Sequence, residues 1–527
     1  MIGRGRKPKH FLVGAALSNR IEQLTADERG RFKQRDFVAP LVKYCVSGNY
    51  NGKIGIVYGL RSTGKTVGML QAAEELINRG HKVAYARFNY DEFAMGDANI
   101  EIKALAAQGC SHFFIDEATY LEGFLNAVAE WPDAYVPDHK IKIVISGTDS
   151  FLLNMARVTS LFHRCEQFSA NWCSFDEYKR ITGASFEEYK SSGGIFASDG
   201  MPEFIQAALV ENLLRTMRHC AFDASRPNAY TDRLLDVSAA IVYKVIVSVL
   251  KCTAEKSIKR HFAEYANEKN VLDFGEAVSN WTKEDKRDLR KRVAEAMAVY
   301  DDFNGIDYPA ETVEMLIAFL LQVDCLTEAY SAAANFGGAG VKDALYYFSQ
   351  AALMSYAAGE TVKDALELSD INQAEFERGI HQAAEGFINE SVSFAHVLRS
   401  AKKSDEVFRY RDEKLREVDI VVKNFADKTV RLIEVKSKGR IDVRTIFANE
   451  ARHLYDDGVL ANLGISDEYA VSRLVVYCGD SKIIEHQKGN LALAGIEDFI
   501  CHQRDWELFA GQLPRIPRIS QIEHPSL

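Results

Sequence analysis

The sequence lacks the cysteine pattern of a disulfide-stabilised or zinc-binding protein. Its nine cysteines are scattered from Cys45 to Cys501, and no two of them form a Cys-x-x-Cys pair. Disulfide frameworks and structural zinc sites require paired or regularly spaced cysteines. The distribution argues against both kinds of site and predicts a cytoplasmic protein, because thiols stay reduced in that compartment.

Long hydrophobic runs are also missing. The longest apolar stretch, residues 238–250, is interrupted by Lys244 and is shorter than the ~20 residues that span a bilayer. The basic residues before His10 are followed by a short apolar run, residues 11–17, without a clear small-residue cleavage site. We therefore expect no membrane partner.

An excess of positive charge is absent as well. The chain has 64 Lys and Arg residues against 74 Asp and Glu residues, a net charge of −10. This balance argues against a surface dominated by nucleic-acid binding, although it is compatible with a local basic patch. With 527 residues, 47% of them hydrophobic, the chain is too long for a single core, and we expect two to four folded domains.

The strongest motif that is present is a glycine-bounded loop. Residues 53–58 read as a short buried strand before it, and apolar residues recur at helical spacing from Val67 to Ile77 after it. In this context the backbone N–H groups of the loop face phosphates, Lys65 reaches the β- and γ-phosphates, and Thr66 holds Mg²⁺. The pattern predicts binding of ATP with Mg²⁺. The loop consists of Gly59, Leu60, Arg61, Ser62, Thr63, Gly64, Lys65 and Thr66.

Two acidic residues, Asp116 and Glu117, follow a second predicted strand at residues 112–115. At the end of a strand beside the phosphate loop, Asp116 can hold the Mg²⁺ shell. Glu117 can orient or deprotonate the attacking water. The second carboxylate favours an ATP hydrolase over a kinase that phosphorylates a small molecule.

A third predicted strand, residues 142–145, delivers the small polar residues 146–150 to the carboxyl end of the sheet. Ligands bind at this end in α/β folds, and Thr148 could sense the γ-phosphate. A further strand is expected at residues 82–88. The alternation of strands with helices predicts an α/β fold with a parallel sheet and right-handed crossovers.

Three segments in this order, GLRSTGKT, FFIDEATYLEGF and VISGTDSFLL, resemble the AAA-type P-loop ATPases of bacteria and archaea that carry a nuclease-like C-terminal domain. The resemblance covers about residues 35–210. In the wider AAA fold an arginine after the fourth strand often senses the γ-phosphate, so the resemblance makes Arg164 a candidate sensor or finger. It also implies a homo-oligomer, because such ATPases often take an arginine from a neighbouring subunit.

The middle of the chain, about residues 203–359, has apolar residues at helical spacing and no catalytic constellation. The resemblance implies a small winged-helix-like unit here. Residues 337–340 are glycine-rich but follow no strand, and we interpret them as a loop. The charged run at residues 283–292 contains interleaved acidic residues, which favours a solvated helix face over a contact with a phosphate backbone.

The last third contains a second set of polar residues on predicted strands. A helix is expected at residues 378–397, and strands are expected at residues 417–422 and 430–436. Asp419 with Glu434 can bind one or two Mg²⁺ ions, and Lys436 can position or polarise a metal-bound water for attack on a phosphodiester.

The segments EVDIVV and IEVKSKGR resemble the PD-(D/E)xK nuclease fold, an α/β restriction-endonuclease-like fold. This resemblance places Glu385 where that fold often has a metal-binding carboxylate on its first helix. The chain departs from the pattern because no proline precedes Asp419. This departure is a common variation that leaves the metal site possible. Because a fold does not by itself supply activity, retained DNA or RNA cleavage is open, and a domain that only binds nucleic acid or protein is the alternative.

Together these observations predict an ATPase that controls a nuclease-like domain engaging DNA or RNA. The alternative is an ATP-driven switch or scaffold whose nuclease-like domain is inactive. The expected segments, in order, are an N-terminal lead (1–34), a P-loop ATPase core (35–170), a helical lid (171–230), a helical or winged-helix-like region (231–370), a PD-(D/E)xK nuclease-like domain (371–510) and a tail (511–527).

Overall fold

The structure is a computed structural model in which the chain divides into two compact units. Described residues up to 196, together with residue 321, belong to the first unit, and those from 326 onward belong to the second. The described residues are 10–27, 30–49, 52–60, 62–88, 95–121, 124, 128–147, 153, 156, 161–196, 321, 326–329, 331–332, 345–348, 351, 354–355, 358–359, 373–412, 416–448, 450–503 and 505–516.

Several predictions for the middle of the chain lie outside these residues. They concern most of the helical or winged-helix-like region, the charged run at 283–292, the glycine-rich loop at 337–340 and the part of the lid beyond residue 196.

The first unit is built on a six-stranded sheet with the order β1-β5-β6-β7-β4-β8. Its strands are β1 (Leu12–Val13), β4 (Ile54–Tyr58), β5 (Val83–Arg87), β6 (His112–Asp116), β7 (Lys142–Gly147) and β8 (Cys165–Ser169). A separate short hairpin joins β2 (Ala26–Asp27) and β3 (Gly30–Arg31). The helices are α1 (Ala15–Thr25), α2 (Val38–Val46), α3 (Lys65–Asn78), α4 (Met95–Ala107), Val136–His139, Phe175–Thr182 and Phe186–Ser192.

The strands predicted around the phosphate loop are confirmed. The structure has β4, β5, β6 and β7 where apolar runs predicted them, and all four pair in parallel within the sheet, as does β8. Such strands are covered on both faces, which explains why they read as continuous apolar runs. One face packs Phe113, Ile143 and Trp131, and the other packs Phe114 and Leu70.

The prediction of a parallel sheet is wrong at one edge. Leu12 and Val13 pair antiparallel with Tyr85 and Ala84, so β1 makes the sheet mixed. A two-residue edge strand is too short to show the period-two alternation by which strands are recognised in a sequence.

The second unit contains an eight-stranded sheet with the order β10-β12-β13-β14-β15-β17-β16-β18. Strands β12, β13 and β14 run antiparallel, and β14, β15 and β17 run parallel. The strands of this unit are β9 (Leu326–Ala329), β10 (Ser331–Ala332), β11 (Leu345–Phe348), β12 (Asp405–Arg411), β13 (Glu417–Asn424), β14 (Thr429–Val435), β15 (Ala470–Tyr477), β16 (Lys482–Ile484), β17 (Leu491–Gly495) and β18 (Arg515–Ile516).

The helix and strands predicted for this part of the chain are confirmed as elements. A long helix, Gln373–Ser400, precedes β12 and packs against β14. Strands β9 and β11 form a separate pair. The remaining helices are Asp457–Asn462, Ile496–Cys501 and Trp506–Ala510, and the segment Arg452–Tyr455 is a 3-10 helix.

Within the described part of the chain, every helix is either too short or too polar to cross a membrane.

Candidate functional site

The phosphate loop lies at the carboxyl end of β4, the strand between β7 and the edge strand β8. It leaves the strand at Gly59, whose φ of +154° suits glycine, and a Cβ there would lie 3.0 Å from Thr63 Oγ1 and 3.1 Å from Asn171. Gly64 has a left-handed φ of +84°, after which α3 begins at Lys65. Only glycine fits both positions without strain. The candidate residues Arg61 and Thr148 lie outside the described residues.

The Lys65 ammonium lies inside the loop. Its Nζ donates to the carbonyl oxygens of Gly59 at 2.7 Å and Leu60 at 2.8 Å. The Thr63 hydroxyl also donates to the Leu60 carbonyl, at 2.8 Å. A buried ammonium needs acceptors, and the loop carbonyls supply them here. Lys65 is therefore already positioned where the loop would surround phosphate oxygens.

Thr66 and Asp116, which come from α3 and β6, are brought together. The Thr66 hydroxyl donates to Asp116 Oδ2 at 2.7 Å, and Asp116 is fully buried. The same carboxylate accepts from Tyr85 at 3.0 Å and from Ser146. A hydroxyl and a carboxylate are hard oxygen ligands, the kind that Mg²⁺ prefers.

Glu117 directly follows β6 and has an unusual backbone conformation. Its φ is +56°, in the left-handed region, and the chain turns directly into a 3-10 helix at Ala118–Tyr120. Non-glycine residues with positive φ are uncommon and concentrate at functional sites. Glu117 is 8% exposed and stands next to Asp116.

One buried hydroxyl at the same edge of the sheet has no hydrogen-bond partner among the residues that the structure describes. This atom is Thr119 Oγ1, and a Cβ placed on Gly147, the last residue of β7, would lie 2.8 Å from it. Buried polar atoms in native proteins normally have a partner. An orphaned hydroxyl close to Glu117, with the Thr66 and Asp116 oxygens, makes these residues a fit for a nucleotide and Mg²⁺.

Burial and the neighbouring Asp116 charge raise the pKa of Tyr85. The Tyr85 hydroxyl therefore stays protonated at physiological pH and acts as a hydrogen-bond donor.

A buried arginine that sequence analysis did not identify donates hydrogen bonds to the backbone of the loop and of the segment after β8. Arg35 is 5% exposed and pairs with Glu177, which is 3% exposed. Its guanidinium also donates to the carbonyls of Thr63 and, at 2.7 Å, Trp172, and it lies over the Phe196 ring at 4.9 Å. The pair is 142 positions apart, so no local pattern could reveal it.

Asn171 is a second residue that sequence reasoning missed. Its side-chain oxygen accepts from the Leu60 N–H at 2.6 Å. Because Ala170 N donates to the Tyr58 carbonyl at 2.8 Å, the segment after β8 continues beside the start of the loop. The loop is thus held by residues that come more than a hundred positions later.

The structure places Arg164 at the opposite end of the sheet from the loop. Its carbonyl accepts from Ile54 N, at the amino end of β4, whereas the loop follows the carboxyl end. Five strand residues separate the two ends, roughly 16 Å at about 3.3 Å per residue. Arg164 instead pairs with Asp133. The prediction that Arg164 senses the γ-phosphate in its own chain is therefore corrected.

A second polar cluster lies in the other unit, on β13 and β14. Asp419 Oδ2 accepts from the Val435 N–H at 2.8 Å. The two oxygens of buried Glu434 contact Lys436 Nζ at 2.7 Å and His453 Nε2 at 2.8 Å. His453 belongs to the 3-10 helix Arg452–Tyr455 and was missed, because nothing in its local sequence marks it.

The charges in this second cluster stabilise one another. Burial alone would raise the pKa of Glu434, but Lys436 and His453 outweigh it and lower that pKa to about 2. Burial would lower the pKa of His453, but the Glu434 carboxylate outweighs it and raises that pKa. The cluster therefore contains an ionised carboxylate with Lys436 on one oxygen and His453 on the other.

Glu385, the third candidate metal ligand, is an exposed residue of the long helix Gln373–Ser400. One turn later, Asn389 reaches Ser437 Oγ at 3.4 Å, next to Lys436. Among the residues that the structure describes, no three His, Cys, Asp or Glu side chains gather as a metal-binding group. The structure thus brings Glu434 to Lys436 but does not gather Glu385, Asp419 and Glu434 as three ligands.

The comparisons with known proteins identify one domain. A family model described as an AAA domain matches residues 51–179, and no curated protein matches the chain in sequence. This segment of the α/β fold is thus an AAA-type domain, and it contains the phosphate loop, β6 and β7.

Solved structures that resemble the chain do so weakly. Caenorhabditis elegans PCH-2 has 14% identity and a TM-score of 0.24, with 40% of this chain and 66% of that chain covered. AMPPCP-bound DnaA from Aquifex aeolicus has 15% identity and a TM-score of 0.22, with coverage of 56% and 86%. The Saccharomyces cerevisiae Hsp104-ADP complex has 12% identity and a TM-score of 0.27, with coverage of 74% and 61%. The chain spans less than two thirds of the PCH-2 and Hsp104 chains.

Proposed function

We propose that the unit containing the AAA-type domain binds ATP with Mg²⁺ and hydrolyses the ATP. The observation that carries this proposal is the 2.7 Å contact between the Thr66 hydroxyl and the buried Asp116 carboxylate, beside the Lys65 ammonium. The match of residues 51–179 to an AAA domain supports it.

Each residue has a chemical role in this proposal. The backbone N–H groups of the loop and Lys65 bind phosphate oxygens, and Thr66 with Asp116 would hold Mg²⁺. The ion, when bound, neutralises charge on the phosphates. Glu117 orients a water molecule and accepts its proton, since it is the carboxylate next to Asp116. Arg61 and Thr148 are proposed as further nucleotide contacts.

The test measures nucleotide affinity and phosphate release for the full chain and three variants. Lys65→Ala should abolish ATP binding, because it removes the cation at the centre of the loop. Glu117→Gln should retain binding but lose about 100-fold or more in hydrolysis, the usual effect of removing a general base. The matched control is Glu75→Gln, which changes a carboxylate on α3 that is more exposed than Glu117. This variant should behave like the wild type.

Full hydrolysis by Lys65→Ala would refute the proposal. Transfer of the γ-phosphate to an added small molecule, without release of phosphate, would instead identify a kinase.

We further propose that the second unit is a PD-(D/E)xK nuclease-like domain that engages DNA or RNA under the control of ATP. The pairing of Glu434 with Lys436, beside Asp419 on the neighbouring strand, favours this proposal. A specific observation favours the rival, a domain that binds without cleaving. Both Glu434 oxygens are already engaged, by Lys436 and His453.

Cleavage assays with Mg²⁺ separate these two possibilities. Cleavage that disappears in Asp419→Ala and Lys436→Ala would support a nuclease, and Lys65→Ala would reveal whether ATP binding controls it. Binding of DNA or RNA that is unaffected by Mg²⁺, with no cleavage of single- or double-stranded substrates, would support the rival.

Arg164 is proposed to act on a neighbouring subunit. Its side chain is 40% exposed and pairs with Asp133, which is 62% exposed, so the interaction is weak and can be exchanged for another. In a homo-oligomer, Arg164→Ala would lower hydrolysis without lowering ATP affinity. A protein that remains monomeric with ATP while hydrolysing it would exclude this role.

A further inference from the structure

The Asp116 carboxylate accepts hydrogen bonds from two further side chains in addition to Thr66. Its Oδ2 accepts from Thr66 at 2.7 Å and from Tyr85 at 3.0 Å, and its Oδ1 accepts from Ser146. The donors come from three elements, α3, β5 and β7. An ionised carboxylate offers about four lone-pair positions, so three of them are engaged and the carboxylate cannot rotate freely.

The three donors differ in what else they can do. Thr66 donates its proton to Asp116, which leaves the lone pairs of its oxygen available to a cation. The Tyr85 ring is buried at 1% exposure, and Ser146 is fully buried. Both hydroxyls donate to Asp116, so each can act on a ligand at the loop through that carboxylate.

We infer that Tyr85, assisted by Ser146, is a positioning residue that fixes the Asp116 carboxylate for binding of the metal-nucleotide complex. This inference rests on the proposed ATP site. Groups that orient a metal ligand typically change metal affinity 10- to 100-fold when they are removed. A tyrosine that served packing alone would change stability and leave metal dependence untouched.

The chain offers a matched control for this distinction. Tyr44 is also buried, at 9% exposure, and its hydroxyl donates to the Lys53 carbonyl at 2.8 Å. Lys53 precedes β4, at the end of the strand opposite to the loop. Tyr44→Phe and Tyr85→Phe each remove one buried hydroxyl from the same hydrophobic core, but only the second removes a contact to Asp116.

The experiment titrates each full-length variant with a fluorescent ATP analogue, once in EDTA and once in Mg²⁺. The ratio of the affinity in Mg²⁺ to the affinity in EDTA measures how much the metal contributes to nucleotide binding. We expect Tyr85→Phe to lower this ratio by roughly 10-fold or more, with the affinity in EDTA unchanged within about twofold. Ser146→Ala should lower the ratio as well, and Tyr44→Phe should leave it as in the wild type. Binding of Mn²⁺ followed by electron paramagnetic resonance gives a second readout that does not depend on hydrolysis.

Two results would overturn the inference. One is a wild-type ratio in Tyr85→Phe, and the other is an equal loss in Tyr44→Phe. Should Tyr85→Phe fail to fold, Ser146→Ala decides alone, and a wild-type ratio there counts against the inference. A wild type that binds no nucleotide would be a different failure, because it would remove the proposed ATP site together with the inference.

Discussion

At the scale of single residues, the pair Arg35 and Glu177 has the largest predicted effect on stability. Both side chains are buried, and removing one partner leaves an uncompensated charge that costs about 3–5 kcal/mol. Glu177→Gln should therefore lower the free energy of unfolding by about this amount in a denaturant titration. Glu75→Gln breaks the exposed pair with Arg79 and should cost at most about 1 kcal/mol. Equal effects of the two changes would contradict the assignment of Arg35 as a buried support of the loop.

His112 makes the stability of the first unit depend on pH. Burial lowers the pKa of His112 from its ordinary value of 6.5 to about 4. The unfolded chain therefore takes up a proton at a higher pH than the folded chain does. Stability is fully present above pH 6.5 and falls as the pH drops towards 4, by up to about 3 kcal/mol.

His112→Gln removes the titrating group and should flatten this part of the curve. The measurement is the free energy of unfolding in urea at several pH values between 4 and 7. His139 is exposed, and His139→Gln serves as the control that keeps the wild-type slope. A variant at His112 with the full wild-type slope would show that other groups cause the loss.

The residues of the candidate ATP site divide by how far apart they are in the sequence. Lys65 and Thr66 could be predicted because their motif is continuous, and Asp116 because it follows an apolar strand. Arg35, Tyr85 and His453 could not. Their partners lie on other elements, and only strand pairing and helix packing bring them together, as with Tyr85 and Asp116, which are 31 positions apart.

At the scale of elements, the contact between α2 and α3 depends on the absence of a side chain at Gly68. A Cβ there would lie 2.4 Å from the Phe37 ring and 3.2 Å from Val38. Alanine is normally the better helix former by about 1 kcal/mol, but overpacking costs about 1–3 kcal/mol. We therefore expect Gly68→Ala to destabilise the protein, as measured by thermal unfolding.

Gly48 provides the comparison for this prediction. A Cβ on Gly48 would meet nothing within 4 Å, so Gly48→Ala should have little effect on the melting temperature. A more stable Gly68→Ala variant would mean that Phe37 moves aside without cost.

The elements also show where reading the sequence succeeds and fails. Parallel strands such as β6 and β7 are buried on both faces, and their unbroken apolar runs predict them well. A two-residue edge strand such as β1 leaves no such signal. The sequence places Arg164 immediately before β8, and only the direction in which β8 runs beside β4 reveals that this arginine is far from the loop.

At the scale of the whole molecule, the net charge of −10 opposes binding of any polyanion. If the second unit engages DNA or RNA, a local basic segment must overcome this repulsion. Lys438, Arg440 and Arg444 follow Glu434 along the chain. Replacing all three by alanine should reduce the slope of log affinity against log salt by about 2 to 3, since each phosphate contact contributes roughly 0.7–0.9.

The matched control is a triple alanine variant of Lys402, Lys403 and Lys428. These lysines lie near the last residue of β13 and the first residue of β14, at the end of β14 opposite to Glu434. Its salt dependence should equal that of the wild type. Fluorescence anisotropy with labelled DNA and RNA across salt concentrations provides the measurement. If the slope of log affinity against log salt fell in the control variant but not in the variant of Lys438, Arg440 and Arg444, the nucleic acid would not bind at Lys438, Arg440 and Arg444.

The hydrogen bond from Leu60 to Asn171 also has a consequence for the order in which the protein is made. The two residues are 111 positions apart, and a ribosome adds about 5–20 residues per second. Leu60 is therefore synthesised roughly 5 to 20 s before its partner. Both edges of β4 lack their partner strands until β7 and β8, which come later in the chain, have been synthesised. An apolar strand with two unpaired edges can pair with other chains, so β4 is open to intermolecular pairing until both of its neighbours have been synthesised.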